Sequence, residues 1–144
     1  MKIGIGYDHA GIEIKDEIIE FVRQMNHEII DYSPELIDGK IDYPIPAKNV
    51  ANAINNSEVD KGILICGSGI GISISANKVK GIRCAVCSDT YSAKMSVMHN
   101  NAQIIAFGAR VVGLDLAKEI VRNFLDASFE GGRHIRRVEM IEEE

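Results

Sequence analysis

Lys61-Gly62-Ile63-Leu64-Ile65-Cys66-Gly67-Ser68-Gly69-Ile70-Gly71 is the stretch whose reading decides the fold. Lys61–Cys66 is a continuous apolar run, the pattern of a strand covered on both faces. The glycine-rich turn that follows opens a short helix, Gly69–Lys78. A doubly covered strand that feeds straight into a helix belongs to a parallel sheet.

The same alternation runs outward in both directions. Toward the N-terminus, Lys2–Tyr7 reads as a strand. Gly11–Met25 carries Ile14, Ile18, Phe21, Val22 and Met25 at helical spacing. His27–Tyr32 is a second strand, and 33–43, with Pro34 and Gly39, is a loop. Pro44–Asn55 is a helix that starts at a proline. Toward the C-terminus, Ile82–Cys87 is a fourth strand, and Asp89 caps a helix running to about His99. Gln103–Gly108 is a fifth strand. Gly113–Ala127 places Leu114, Ala117, Ile120, Val121, Phe124 and Leu125 on one side of a helix. The segment from Gly131-Gly132 to Glu144 is a last helical arm, and Glu142-Glu143-Glu144 closes it as a solvated tail. Residues 1–144 are therefore expected to form one α/β domain. Its core is a Rossmann-like, doubly wound, five-stranded parallel sheet in the order 2-1-3-4-5, with helices on both faces and a C-terminal helical arm.

Composition narrows the function classes. With 46% apolar residues in 144, the chain can bury one core. A net charge of −5 argues against a nucleic-acid partner, which would call for a basic stripe. No apolar run approaches the roughly 20 residues that span a bilayer. The N-terminus enters a strand at once rather than reading as a signal peptide, so a cytoplasmic location is expected. The three cysteines, Cys66, Cys84 and Cys87, do not form a disulfide framework. Cys84 and Cys87 lie three apart on a strand and point to opposite faces, as core thiols. No metal site is expected, because no second pair completes one.

In the 2-1-3-4-5 order the strand sequence reverses between the first and third strands, and open sheets bind ligands beyond the carboxyl ends of strands at that point. The residues there are Asp8-His9 and Cys66 to Gly71. The glycine turn can hold an anion or a developing enolate oxygen on bare N–H groups at a helix start; it can equally be a plain tight turn. It matches neither the P-loop nor the dinucleotide pattern. Cys66 feels the helix N-terminus, which favours thiolate, or it is a buried strand cysteine. His9 can exchange a proton or bind phosphate, while Asp8 can cap the next helix. His99 and Asn100 end a helix, where a histidine complements the dipole. His27 reads as structural. Arg133 and Arg137, four apart, share a helix face and suit a phosphate, or pair with the glutamates that follow.

Together these segments resemble the ribose-5-phosphate isomerase type B family, which also includes galactose-6-phosphate isomerase subunits. The resemblance is carried by Gly6-Tyr7-Asp8-His9-Ala10-Gly11, Asp42-Tyr43-Pro44, Gly62 to Ser73, Ala76-Asn77-Lys78, Gly81-Ile82-Arg83, His99-Asn100, Ala106 to Gly113 and Glu130-Gly131-Gly132-Arg133-His134. It spans nearly the whole chain. It implies a cofactor-free aldose–ketose isomerase that converts ribose 5-phosphate to ribulose 5-phosphate through an enediolate. Cys66 resembles the family's base, His99 its ring-opening group, and Ser68, where the family often has threonine, its proton relay. Gly67, Gly69, Ile70 and Gly71 would supply N–H groups to the enediolate. Asp8, His9, Tyr43 and Asn100 match sugar- or phosphate-contacting positions, and Arg110, Arg133 and Arg137 match anion-binding ones. One branch of the family has a glutamate base where this chain has Ile72, which favours Cys66. The resemblance also implies a site shared between two subunits, hence a homodimer, or a homotetramer built from such dimers. Alternatives are an isomerase of allose or galactose 6-phosphate and a noncatalytic flavodoxin-like module binding a phosphorylated ligand.

Overall fold

In the computed structural model, which describes residues 1–143, the elements alternate as the sequence predicts. They are β1 (Lys2–Tyr7), α1 (Ile12–Gln24), β2 (Glu28–Asp31), α2 (Pro44–Asn55), β3 (Lys61–Cys66) and α3 (Ile70–Asn77). There follow β4 (Cys84–Val86), α4 (Thr90–Met98), β5 (Ile104–Gly108), α5 (Leu114–Asp126) and α6 (Arg133–Glu142). Glu144, the end of the expected arm and tail, lies outside the described residues. All strand pairs are parallel.

The strand order is β2-β1-β3-β5-β4, which corrects the expected 2-1-3-4-5. The physical reason is burial. Ile104, Ile105, Ala106 and Phe107 of β5 are wholly buried, so this strand takes the place beside β3 that is covered on both faces. Cys84-Ala85-Val86 is short and half-exposed, as suits an edge. The reversal between β1 and β3 survives the correction.

The exchange of β4 and β5 decides where α4 lies. The chain runs outward from β3 to β4 through α3 and back from β4 to β5 through α4. Right-handed crossovers then place these two helices on opposite faces. Two cores result. On one face Ile18 and Val22 of α1, Ala93 and Val97 of α4, and Ile120, Val121 and Phe124 of α5 pack on Ile3, Ile5, Ile63, Ile65 and Phe107. On the other, Ala47, Val50 and Ala51 of α2 and Ile72 and Ala76 of α3 pack on Leu64, Cys66, Ile104 and Ala106. Alternation along β3 thus directs Cys66 to the α2/α3 face. Among the described residues, no helix is long and apolar enough to cross a membrane.

Candidate functional site

Cys66 is the last residue of β3 and is 4% exposed. The backbone turns back over it, so that the Gly69 N–H donates to Sγ at 3.1 Å. Gly69 makes this turn at φ +80°, in the left-handed region, and caps α3. Ser68, exposed, accepts the Ile70 N–H on Oγ at 3.2 Å. The N–H groups of Gly71 and Ile72, in the first turn of α3, precede any intrahelical carbonyl. A sulfur and free amides therefore meet at one helix start, where partial positive charge accumulates.

Beside this loop opens a cleft of about 630 Å³, lined by Asp8, Tyr43, Cys66, Gly67, Ser68, Ile70, Gly71, Arg110 and Val111. Asp8 is buried at the end of β1. It does not cap α1, where Gly11 is the N-cap. Instead its Oδ1 accepts the Ala10 N–H at 2.9 Å, closing a tight turn. The Tyr43 ring lies over Gly71. Arg110 follows β5, and its N–H is held by the Gly67 carbonyl at 3.1 Å. Its exposed guanidinium makes no ion pair among the described residues, which leaves a free cation at the rim of the cleft. His9 is exposed next to Asp8, and its Nδ1 accepts the Ile41 N–H at 3.3 Å. Asp8, Tyr43, Cys66, Ser68, Arg110 and the glycine loop are thus brought together.

His99, Asn100, Arg133 and Arg137 are not with them. Cys66 pairs with Gly108, at the carboxyl end of β5, while His99 lies five residues before the start of β5 at Ile104. The strand alone separates the two levels by on the order of 13 Å. His99 ends α4 at the opposite rim of the sheet. There its ring stacks on that of His134, with centroids 4.3 Å apart and planes inclined by 12°. Glu130 holds an oxygen 3.9 Å from His99 Nε2 and another 3.5 Å from His134 Nε2. Arg133 and Arg137 are exposed on α6 and make no ion pair among the described residues, so the alternative of pairing with the glutamates that follow is not seen there. Glu142 pairs instead with Arg83.

The roles of Glu130 and His134 beside His99 are absent from a reading by sequence. Their own spacing of four is visible, but His99 is 31 residues earlier than Glu130 and meets them only through the fold. The three ligand atoms lie within 4.8 Å of one another, a spacing that could suit a metal. The near-parallel rings set their in-plane lone pairs side by side rather than toward one point, so holding an ion would require a ring to turn.

A second groove, of about 530 Å³, runs along the β4 edge past Lys80, Arg83, Cys84, Ser96, Asn100 and Ile141. The Arg83 guanidinium there is already engaged by Glu142 and by the carbonyls of Asn100 and Asn101. Cys84 and Cys87 are free thiols on opposite sides of the sheet. Burial pushes both up, Cys87 to about 11, which suits core thiols rather than nucleophiles. His27 accepts from the N-terminal amine at 3.0 Å, a structural role.

An open parallel α/β sheet with a thiol, free amides and a cation at its switch point defines a class: proteins that take up a small anionic ligand beside a candidate nucleophile or base. The chain belongs to the ribose/galactose isomerase family, whose sequence pattern matches residues 3–141. It is 52% identical over 143 residues to ribose-5-phosphate isomerase B of Escherichia coli, covering 97% of this chain and 93% of that protein. It is 48% identical over 141 residues to D-erythrulose-4-phosphate isomerase of Pectobacterium atrosepticum, covering 98% and 93%. The solved ribose-5-phosphate isomerase B of Clostridium thermocellum superposes with a TM-score of 0.94 at 52% identity, covering 99% of this chain and 95% of that one.

Proposed function

We propose that this chain, as a single domain over residues 1–144, interconverts ribose 5-phosphate and ribulose 5-phosphate in the cytoplasm. The observation that carries the chemistry is the Cys66 sulfur set against the glycine loop in a cleft with a free arginine. Moving a proton between carbons 2 and 1 needs a base and a place for negative charge on two oxygens. Cys66 as thiolate takes the proton from C2 and returns it to C1. The Ser68 hydroxyl passes a proton between O1 and O2. N–H groups from Gly67 to Gly71, Ile70 among them, hold the enediolate. Asp8, His9 and Tyr43 contact the sugar, and Arg110 attracts anionic oxygen.

The furanose must open first. His99 takes the anomeric hydroxyl proton as the bond from C1 to the ring oxygen breaks, and that proton ends on the ring oxygen. Asn100 assists, and Arg133 and Arg137 bind the phosphate. Because these four stand at the far rim of the sheet from Cys66 of the same chain, a second copy must supply them. The proposed unit is a homodimer in which the switch-point cleft of one protomer meets the His99 rim of its partner. Exposed Ile70 and Ile74, one turn apart on α3 beside the cleft, offer an apolar face for that contact.

The test is a coupled isomerase assay with ribose 5-phosphate, run beside allose 6-phosphate, galactose 6-phosphate and erythrulose 4-phosphate. Ribose 5-phosphate should be the best substrate, and Cys66→Ala should lose turnover by at least about 100-fold while still binding it. Near-normal turnover in that variant would reject Cys66 as the base, and a better rate on another sugar would reassign the substrate.

A further inference from the structure

We infer that Glu130 and His134 are positioning residues for His99, which set the plane of its ring and the nitrogen that carries its proton; the inference rests on the ring-opening role proposed for His99. The His134 side chain is almost wholly buried, yet its Nε2 has no hydrogen-bond partner. Buried polar atoms are nearly always satisfied, so this orphan calls for a reason beyond packing.

The reason lies in its neighbours. Stacking at 4.3 Å fixes the plane of His99, whose own side chain is otherwise partly exposed and free to swing. The Glu130 carboxylate faces Nε2 of both rings. At 3.9 Å from His99 Nε2 and 3.5 Å from His134 Nε2 it makes no hydrogen bond to either ring and acts through its negative charge, which favours hydrogen on the nitrogen that faces it. That attraction favours the His99 tautomer with hydrogen on Nε2, which leaves the Nδ1 lone pair to accept a substrate proton. The backbone secures the arrangement: the Glu130 N–H donates to the Met98 carbonyl at 3.1 Å, next to His99, and the His134 N–H donates to the Gly131 carbonyl at 3.1 Å. The Gly131-Gly132 turn, with φ of +69° and +57°, folds α6 back so that His134 reaches the ring.

Such residues act only through His99, and this separates them from the proton transfer at carbon. Ribulose 5-phosphate cannot close a furanose ring, because its C5 hydroxyl carries the phosphate. Exchange of its C1 hydrogen with solvent deuterium therefore reads the enediolate step without ring opening. Glu130→Gln and His134→Ala should slow turnover of ribose 5-phosphate by at least about tenfold, with deuterium exchange into ribulose 5-phosphate within about twofold of wild type. His134→Phe keeps a flat ring to stack on and should recover part of the His134→Ala loss. Equal losses in both assays, or none in either, would overturn the inference. His99→Asn in the same pair of assays separates the two ideas. If it shows the split and the neighbours do not, positioning is wrong and ring opening by His99 stands. If His99→Asn shows no split, the ring-opening role fails and the inference falls with it.

Discussion

Gly69 and Gly108 give the Cys66 sulfur its setting. A Cβ on Gly69 would stand 2.7 Å from the Phe107 carbonyl carbon, and one on Gly108 would stand 2.6 Å from the Gly67 carbonyl oxygen. The loop after β3 and the end of β5 cross at backbone contact, which leaves no room for a side chain on either. Gly69→Ala also forces an L-residue into the left-handed region, at a cost of roughly 1–2 kcal/mol before any clash is relieved. That variant should melt several degrees below wild type and lose most isomerase activity, as the Gly69 N–H leaves Sγ. Thermal unfolding and the ribose 5-phosphate assay check this; an unchanged midpoint with an unchanged rate would contradict it. At this scale much of the cleft is legible in the sequence. Asp8, Cys66 and the glycine loop follow strands one and three, and the switch-point rule predicts that these meet. The pairing of His99 with His134 is not legible, because no local pattern links a helix end to a ring 35 residues further on.

Among the elements, most follow from periodicity and punctuation. Pro44 begins α2, and the Asp89 carboxylate caps α4 by accepting the Ser92 N–H at 2.6 Å. The order of the last two strands does not follow, since it depends on comparing two apolar strands rather than finding them. Ile104 to Phe107 outweighs Cys84 to Val86 for the doubly covered place, and this moves α4 to the α5 face, where α6 can meet it. The docking of α6 carries a pH dependence. Burial holds the His134 imidazole below its ordinary value, with nearby His99, Arg133 and Arg137 acting in the same direction against Glu130. The unfolded chain then binds this proton more readily than the fold. Stability from the neutral ring is complete above the ordinary imidazole value of about 6.5 and is lost as pH falls below it. The melting midpoint of wild type should therefore drop more between about pH 7.5 and about pH 5.5 than that of His134→Phe. Parallel pH profiles for the two proteins would show that His134 does not couple to folding.

For the whole molecule, the consequence is that the residues proposed for one site stand in two groups at opposite rims of the sheet of a single chain. Cys66, Ser68, Asp8 and Arg110 stand at the carboxyl ends of the strands, and His99, Asn100, Arg133 and Arg137 stand at the other end. The family pattern spread along the sequence does not show this division, because a linear motif has no rims. Two protomers related by a two-fold axis would join unlike rims twice, which makes two complete sites per dimer. The most direct measurement is complementation between Cys66→Ala and His99→Asn chains, each inactive alone, produced together in one cell. A mixed dimer would place both lesions in one site and leave the other intact. Random pairing should then restore about a quarter of the wild-type rate. Activity no higher than that of the two parents would contradict a site built from both chains.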